Sequence, residues 1–395
     1  MQMKLLDQDK CTGCAACYNA CGINAIKMIE DKRGFIFPVI DEKTCKQCGK
    51  CRNVCPGLSS LVTSGYNVES FAAVNIDRKN LLQGSSGGVF IELAKKVINH
   101  KGVVYGCAWS DSKSICHIRV NTNEDIEKLL KSKYMQSSIG LTYRSVREDL
   151  LENIPVLFSG TPCQVAGLKS YLGKEYKNLI CVDIVCHGVP NQRIFGEFLN
   201  TLEKKEKGEI TDYCFRKKVK GIGNYATSYT INNNQKIKQW TLLSYGYLFM
   251  NSYLSRESCY NCEYAKKERI GDITLGDFWG IDRIDDSFNL DEGVSAVIIN
   301  NTKGKEVFFG VSDKFKLKKI PYEYVFANNK QLTEPATKPK ERNDLWRQYD
   351  ICGYEAFEKY YKKKTRFLRI KSRLKLVILT IVEYLKQRKR HDKSE

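Results

Sequence analysis

Eight cysteines in the first sixty residues stand at spacings suited to metal-cluster chemistry. Cys11, Cys14, Cys17 and Cys21 recur as Cys45, Cys48, Cys51 and Cys55, each displaced by 34 positions. Each half reads C-x2-C-x2-C-x3-C, and Pro56 follows the second. Three thiolates in one tight loop can grip three irons of a cubane from one side, so the fourth must come from elsewhere. The small residues between them (Thr12, Gly13, Ala15, Ala16) let backbone N–H groups approach the sulfides. Zinc takes four ligands and usually two C-x2-C pairs, which fits four cysteines per half less well than iron and sulfide do. Electrons are implied, but neither their donor nor their acceptor.

Residues 1–60 resemble bacterial-type two-cluster ferredoxins, in which the fourth ligand crosses over from the other half. The resemblance assigns Cys11, Cys14, Cys17 and Cys55 to one 4Fe-4S cluster and Cys45, Cys48, Cys51 and Cys21 to a second. Gly22 stands where the first half would often carry proline, a small departure.

The whole chain bounds the remaining possibilities. It has 395 residues, with 17 Cys, only 4 His, and a formal charge of +19. That length accommodates two or three domains. Met1 to Lys10 carry no apolar signal region, so a cytoplasmic protein is expected. No apolar run is long enough for a polytopic membrane protein. In an unsecreted chain, dense cysteines point to metal or catalysis rather than to disulfides.

The body must then position further groups. Leu58 to Gly65 reads as a linker and Phe71 to Ile76 as a strand. Gly84-Ser85-Ser86-Gly87-Gly88 precedes a helix from Val89 to Ile98. Such a loop is either a phosphate cradle, favoured by free N–H groups and the helix dipole, or an ordinary cap. Gly102 to Gly106 reads as a buried strand. Lys133-Tyr134-Met135-Gln136-Ser137 combines a cation, a ring, an amide and a hydroxyl, and by itself reads as a solvated turn. Pro155 to Phe158 is a strand ending at Gly160-Thr161-Pro162-Cys163, where Pro162 suits a first helical position. Another strand, Leu179 to Val185, ends at Cys186-His187-Gly188. Alternating strand, turn and helix predict an α/β core with ligands at strand ends. Residues 210–240 read as antiparallel strands. Cys259 and Cys262 supply a further C-x2-C, and Gly276-Asp277-Phe278-Trp279-Gly280 follows. The spacing leaves Cys163, Cys186, Cys259 and Cys262 open as core thiols, a zinc site, a disulfide pair or a third cluster.

Together and in this order, these segments resemble the beta-subunit family of coenzyme F420 hydrogenases and dehydrogenases, over residues 70 to about 340. The resemblance implies an iron–sulfur flavoprotein. Its core would bind FAD, and Cys163, Cys186, Cys259 and Cys262 would hold a third cluster. It strengthens the cradle reading of Gly84 to Gly88. It makes Lys133, Tyr134, Gln136, Ser137, Gly160 and Thr161 candidates for positioning the flavin. Asp277 and Trp279 would belong to the flavin pocket or the cluster surroundings, and His187 is a candidate proton donor. Cys107, Cys116, Cys181, Cys214 and Cys352 match no motif and are expected as small buried hydrophobes. The fold class is then α+β to α/β: a ferredoxin-like domain (1–60), a mixed α/β flavoprotein core in two parts (66–190 and 191–345), and a basic helical tail (346–395).

Residues 361–395 hold thirteen Lys and Arg against three acids. Phe367, Ile370, Leu374, Ile378, Ile381 and Leu385 recur at three- and four-residue steps, so this is a basic amphipathic helix. It either packs on the body or lies on an anionic membrane face. No nucleic-acid-binding fold accompanies the charge. The functional expectation is a relay between FAD, 4Fe-4S clusters and an organic substrate, coenzyme F420 or another. The expected redox partner is ferredoxin or a hydrogenase or dehydrogenase subunit. Two rivals are a non-catalytic electron-transfer subunit and a membrane-docking scaffold with a ferredoxin module.

Overall fold

The computed structural model describes residues 5–58, 68–219 and 223–366. The predicted linker falls almost wholly outside these residues, and so does the amphipathic segment from Phe367 onward.

The 34-residue repeat is visible in the backbone. Short helices, Ala16–Ala20 and Lys50–Asn53, grow out of the two cysteine loops. Left-handed conformations occur at Gly13 and Ala15 in the first loop and at Gln47 and Gly49 in the second, again 34 apart. Alternating hand turns successive N–H groups toward one concave side, which suits an anionic cluster. Between the loops, β1 (Ile26–Glu30) and β2 (Ile36–Ile40) form an antiparallel hairpin. The Asp31 carboxylate fixes its turn by accepting from the N–H groups of Arg33 and Phe35 at 2.9 and 2.8 Å.

The body contributes β3 (Glu69–Asn75), β4 (Val103–Trp109), β5 (Ile115–Val120), β6 (Val156–Gly160) and β7 (Leu179–Ile184). After these come β8 (Ile210–Val219), β9 (Gly223–Ile231), β10 (Asn234–Gln239), β11 (Ile273–Asp277), β12 (Ser295–Ile299) and β13 (Phe315–Lys319). Eight strands make one mixed sheet in the order β13-β3-β12-β11-β7-β6-β4-β5. Its centre, β11-β7-β6-β4, is parallel, and its flanks are antiparallel. Alternation along β6 explains the layering. Leu157 faces a core shared with the Val89–Asn99 helix, while Val156 and Phe158 face the Thr142–Leu151 and Pro162–Leu172 helices. Ala15 and Ala16 of the ferredoxin-like module join this second core, so the module seats directly on the sheet's helical layer.

The expected α/β body with a ferredoxin-like start is thus observed. Two expected boundaries are not packing boundaries. Strands from both sides of residue 190 interleave, β11 and β12 lying between β7 and β3. Residues 346–364 are not tail but body. The Arg342–Cys352 and Tyr354–Lys364 helices bury Trp346, Tyr349 and Phe357 in a core shared with Phe35 and the Gln192–Glu206 and Ser244–Met250 helices. The Trp346 indole N–H donates to Tyr253 O at 2.8 Å. Among the described residues, no helix is long and apolar enough to cross a membrane.

Candidate electron-transfer site

Cys11, Cys14, Cys17 and Cys55 line one cavity, of about 470 Å³. Cys21, Cys45, Cys48 and Cys51 line another, of about 210 Å³. The crossover is therefore built into the fold, since each cavity takes three cysteines from one half and one from the other. Backbone N–H groups already point at sulfur, Ala25 at Cys21 Sγ (3.2 Å) and Gln47 at Cys45 Sγ (3.4 Å). Burial pushes the Cys14 thiol up to about 12, and the neighbouring thiols add to this. Cys17, Cys51 and Cys55 are raised for the same first reason. Such thiols become thiolates only with a metal to share the charge.

The third quartet comes together from three distant segments. Gln164 Oε1 accepts from the N–H and hydroxyl of Thr161, closing the first turn of the Pro162–Leu172 helix. Pro162 occupies the first helical position, and Cys163 sits in that turn with Sγ 3.2 Å from Thr161 Oγ1. Cys186 leaves the end of β7, while Cys259 lies within the 3-10 turn Glu257–Asn261 and Cys262 closes it. All four line one small cavity. Burial raises Cys163 to about 11 and Cys259 to about 12, and raises Cys186 well above its ordinary value. All seventeen cysteines are free thiols, so the disulfide option is not taken. Each quartet offers thiolates alone, a donor set that suits iron–sulfur clusters. A cubane has separate irons at its corners and takes thiolates spread around it, so these quartets fit a cluster better than they fit zinc.

A separate cavity of about 290 Å³ opens at the carboxyl ends of the parallel strands, where doubly wound sheets bind ligands. Gly84, Ser85, Ser86, Gly88, Lys133, Tyr134, Ser137, Gly160, Thr161, His187 and Asp277 all line it. Three expected residues do not. Gly87 is packing: an added Cβ would lie 2.0 Å from Ala73 O, and its N–H donates to Ser295 Oγ. The Gln136 amide turns to the ferredoxin-like module, donating to Thr12 O at 2.8 Å and accepting from Arg256 at 3.1 Å. Trp279 is not among the lining residues and follows β11, which ends at Asp277.

The structure adds residues with no motif. Arg216, on β8, clamps Asp277 with two hydrogen bonds. Lys218 reaches the carbonyls of Leu81 and Ser86, and desolvation with the nearby Arg216 lowers its pKa to about 7. His117 Nε2–H donates to Ser159 O at 3.0 Å, which leaves Nδ1 to accept the Ser137 hydroxyl at 2.8 Å. Burial depresses His117 to about 4 and also lowers His187 and Lys133. The only available signal was a run of three cations, Arg216, Lys217 and Lys218, within a sheet-like segment.

The cavities are adjacent in series. Cys186 lines the third quartet's cavity while the next residue, His187, lines the strand-end cavity. Cys262 and Thr12 line both the third quartet's cavity and that of Cys11, Cys14, Cys17 and Cys55. Cys17 and Cys51 pack in one small cluster, joining the two ferredoxin-like cavities.

Residues 155–323 match the family described as the C terminus of the coenzyme F420 hydrogenase/dehydrogenase beta subunit. Residues 10–57 match the 4Fe-4S dicluster domain. Residues 155–323 thus resemble the C-terminal part of the coenzyme F420 hydrogenase/dehydrogenase beta subunit, behind a 4Fe-4S dicluster domain. A coenzyme F420-dependent sulfite reductase of Methanocaldococcus jannaschii is 25% identical over 310 residues, 77% of this chain and 46% of that protein. The delta subunit of an NADH-dependent phenylglyoxylate dehydrogenase of Aromatoleum evansii is 40% identical over 52 residues, 13% of this chain and 50% of that protein. The chain thus spans about half the length of the curated relatives it matches. A chain of the F420-reducing [NiFe] hydrogenase complex of Methanosarcina barkeri superposes with a TM-score of 0.43 at 15% identity, covering 78% of this chain and 96% of that one.

Proposed function

We propose that this chain is an iron–sulfur flavoprotein oxidoreductase that exchanges electrons between an organic redox partner and one-electron carriers. The observation that carries this reading is the serial order of cavities, with Cys186 and His187 facing opposite sides of one boundary. The three cysteine quartets would hold cubanes and the strand-end cavity would hold FAD. When bound, FAD would supply the interchange of two-electron and one-electron chemistry, and the clusters would supply conduction.

The chain's own residues bind, orient and shield. Gly84, Ser85 and Gly88 offer close backbone at the head of the Val89–Asn99 helix, whose dipole favours a phosphate. Lys218 adds a cation beside that loop. Tyr134 is wedged against Trp240 and Phe215, ring centroids 4.3 and 5.6 Å away, and excludes water from the cavity's inner wall. The Arg216–Asp277 clamp fixes β8 over the carboxyl end of β11. His187, held neutral by burial, keeps one ring N–H with which to donate to a group bound in the cavity. Coenzyme F420 is the first partner to test, as the sulfite reductase relative bears its name.

A second reading draws on coverage, since the match reaches only 46% of the sulfite reductase relative. In it, the chain passes electrons to a separate catalytic subunit.

Anaerobic purification with iron, sulfide and flavin quantified on one sample tests the reading. About twelve irons, four per cubane, with one FAD are expected. About eight irons without flavin would remove both the third cluster and the flavoprotein assignment. Turnover by the purified chain alone, against turnover only with a partner subunit, separates the two readings.

A further inference from the structure

Four arginines are buried among the described residues, and three of them face a carboxylate. Arg216 pairs with Asp277, Arg269 with Asp183 and Arg342 with Glu257. Arg256 is the exception. It is 1% exposed, the deepest of the four. Nε–H donates to Cys11 O at 2.7 Å, Nη1 to Gln136 Oε1 at 3.1 Å and Nη2 to Ile36 O at 2.9 Å. The Phe37 ring lies beneath the guanidinium, 4.1 Å to its centroid. Every one of these partners is neutral.

A guanidinium cannot escape the cost of burial by losing its proton. A buried charge needs an opposite one close by, and the groups that surround Arg256 show where it lies. The titratable groups that bear on it are the thiols of Cys11, Cys163 and Cys259, which would turn negative on binding a cluster. Arg256 also lines the cavity of Cys163, Cys186, Cys259 and Cys262. The first cysteine loop is moulded on it. Gly13 is left-handed (φ +68), and a Cβ there would stand 3.0 Å from Arg256 Nη1. The cavity of Cys21, Cys45, Cys48 and Cys51 has no buried cation along its wall: Lys46 and Lys50 line it, and both are exposed to solvent that screens them.

We propose that Arg256 is a positioning residue shared by two clusters, the core cluster and the adjacent ferredoxin-type cluster, and that its fixed charge raises the reduction potential of both relative to the outer one. The proposal rests on the cluster assignment above. A cubane with four thiolates is anionic and gains one more negative charge on reduction, so a nearby cation favours the reduced form. Cys11 O and Ile36 O belong to the ferredoxin-like module, whereas Arg256 belongs to the body. The residue therefore also docks the module at the boundary that electrons cross.

The test is an EPR-monitored redox titration of the full chain, reconstituted anaerobically, in wild type, Arg256→Gln and Arg256→Lys, with iron measured on each. In Arg256→Gln, two of three titrating signals should move to lower potential while the third stays. At a fixed potential, the reduced-to-oxidised ratio of those two should fall about tenfold, which is about 59 mV for a one-electron couple. Arg256→Lys keeps the charge and should titrate near wild type. All three signals unmoved in a fully loaded Arg256→Gln would overturn the proposal. So would an equal fall in Arg256→Lys, because charge would not be the cause. Should Arg256→Gln fail to load iron, Arg256→Lys decides: loading with wild-type potentials supports the role of charge, and lowered potentials overturn it. Wild type with only about eight irons would instead sink the core-cluster assignment, and the one remaining neighbouring cluster would then carry the Arg256 test.

Discussion

The Asp277 carboxylate accepts from both Nη groups of Arg216, at 2.7 and 3.0 Å, with the guanidinium almost wholly buried. This pair joins the end of β11 to β8 and forms one wall of the strand-end cavity. Removing one partner leaves the other charge buried alone, at a cost of about 3–5 kcal/mol. Arg216→Met and Asp277→Leu should each lower thermal stability and, on the flavoprotein reading proposed above, flavin content as well. The double variant should be more stable than either single one, since no orphan charge remains. Thermal unfolding of the three variants checks this, and a double variant as unstable as the sum of the singles would contradict it.

Gly167 lies where the ferredoxin-like module meets the body. A Cβ there would stand 2.9 Å from Cys14 Cβ, 3.0 Å from Cys14 Sγ and 2.9 Å from the Tyr143 hydroxyl. Gly167→Val should therefore displace Cys14 and remove about four irons while the outer cluster remains. Gly196 is a matched control, being helical with nothing within 4 Å of an added Cβ. Gly196→Ala should keep full iron and gain up to about 1 kcal/mol of stability. Iron content with melting temperature reads out both variants.

Single cysteine replacements test the grouping of ligands. Cys163→Ser should remove about four irons and spare the ferredoxin-type clusters. Cys55→Ser should damage the cluster of Cys11, Cys14 and Cys17 rather than that of its sequence neighbour Cys51. Cys107→Ser should leave iron unchanged, because Cys107 lines the strand-end cavity and no quartet. Iron and sulfide assays on the three variants suffice, and unchanged iron in Cys163→Ser would remove that residue as a ligand.

Short-range chemistry was legible in the chain, and long-range assembly was not. The spacing of Cys11 to Cys21 and Cys45 to Cys55 defines a local loop geometry, so the repeat could be read directly. Pro162 and the Gly84 to Gly88 loop likewise act through their own backbone. Gln136 looked like a cavity residue because its neighbours Lys133, Tyr134 and Ser137 are cavity residues. It turns away because Thr12 and Arg256, 124 and 120 residues distant, supply its partners. Arg216 and Lys218 went unseen for the same reason, since only the folding of β8 over β11 makes them part of a site. Cys352 was expected to be buried on cysteine's general preference, yet it is exposed at the end of the Arg342–Cys352 helix. Cys181 follows the preference, and Cys107, Cys116 and Cys214 follow it in part.

His117 gives the fold a dependence on pH. It is buried against Phe158, ring centroids 5.3 Å apart, and its hydrogen bonds require the neutral ring with the proton on Nε2. Burial lowers its pKa from 6.5 to about 4. Between those values the unfolded chain binds a proton that the folded chain refuses. Stability from this group is therefore complete above about pH 6.5 and falls as pH drops toward 4, by about 3 kcal/mol in all. In His117→Gln, the amide can still donate to Ser159 O and accept from Ser137, but it cannot titrate. Its stability should decline less steeply than wild type between pH 6.5 and 4, with the two profiles parallel above pH 7. Chemical denaturation at a series of pH values measures the difference directly. Parallel profiles throughout would mean that His117 titrates alike in the folded and unfolded chain, so that burial does not hold it neutral.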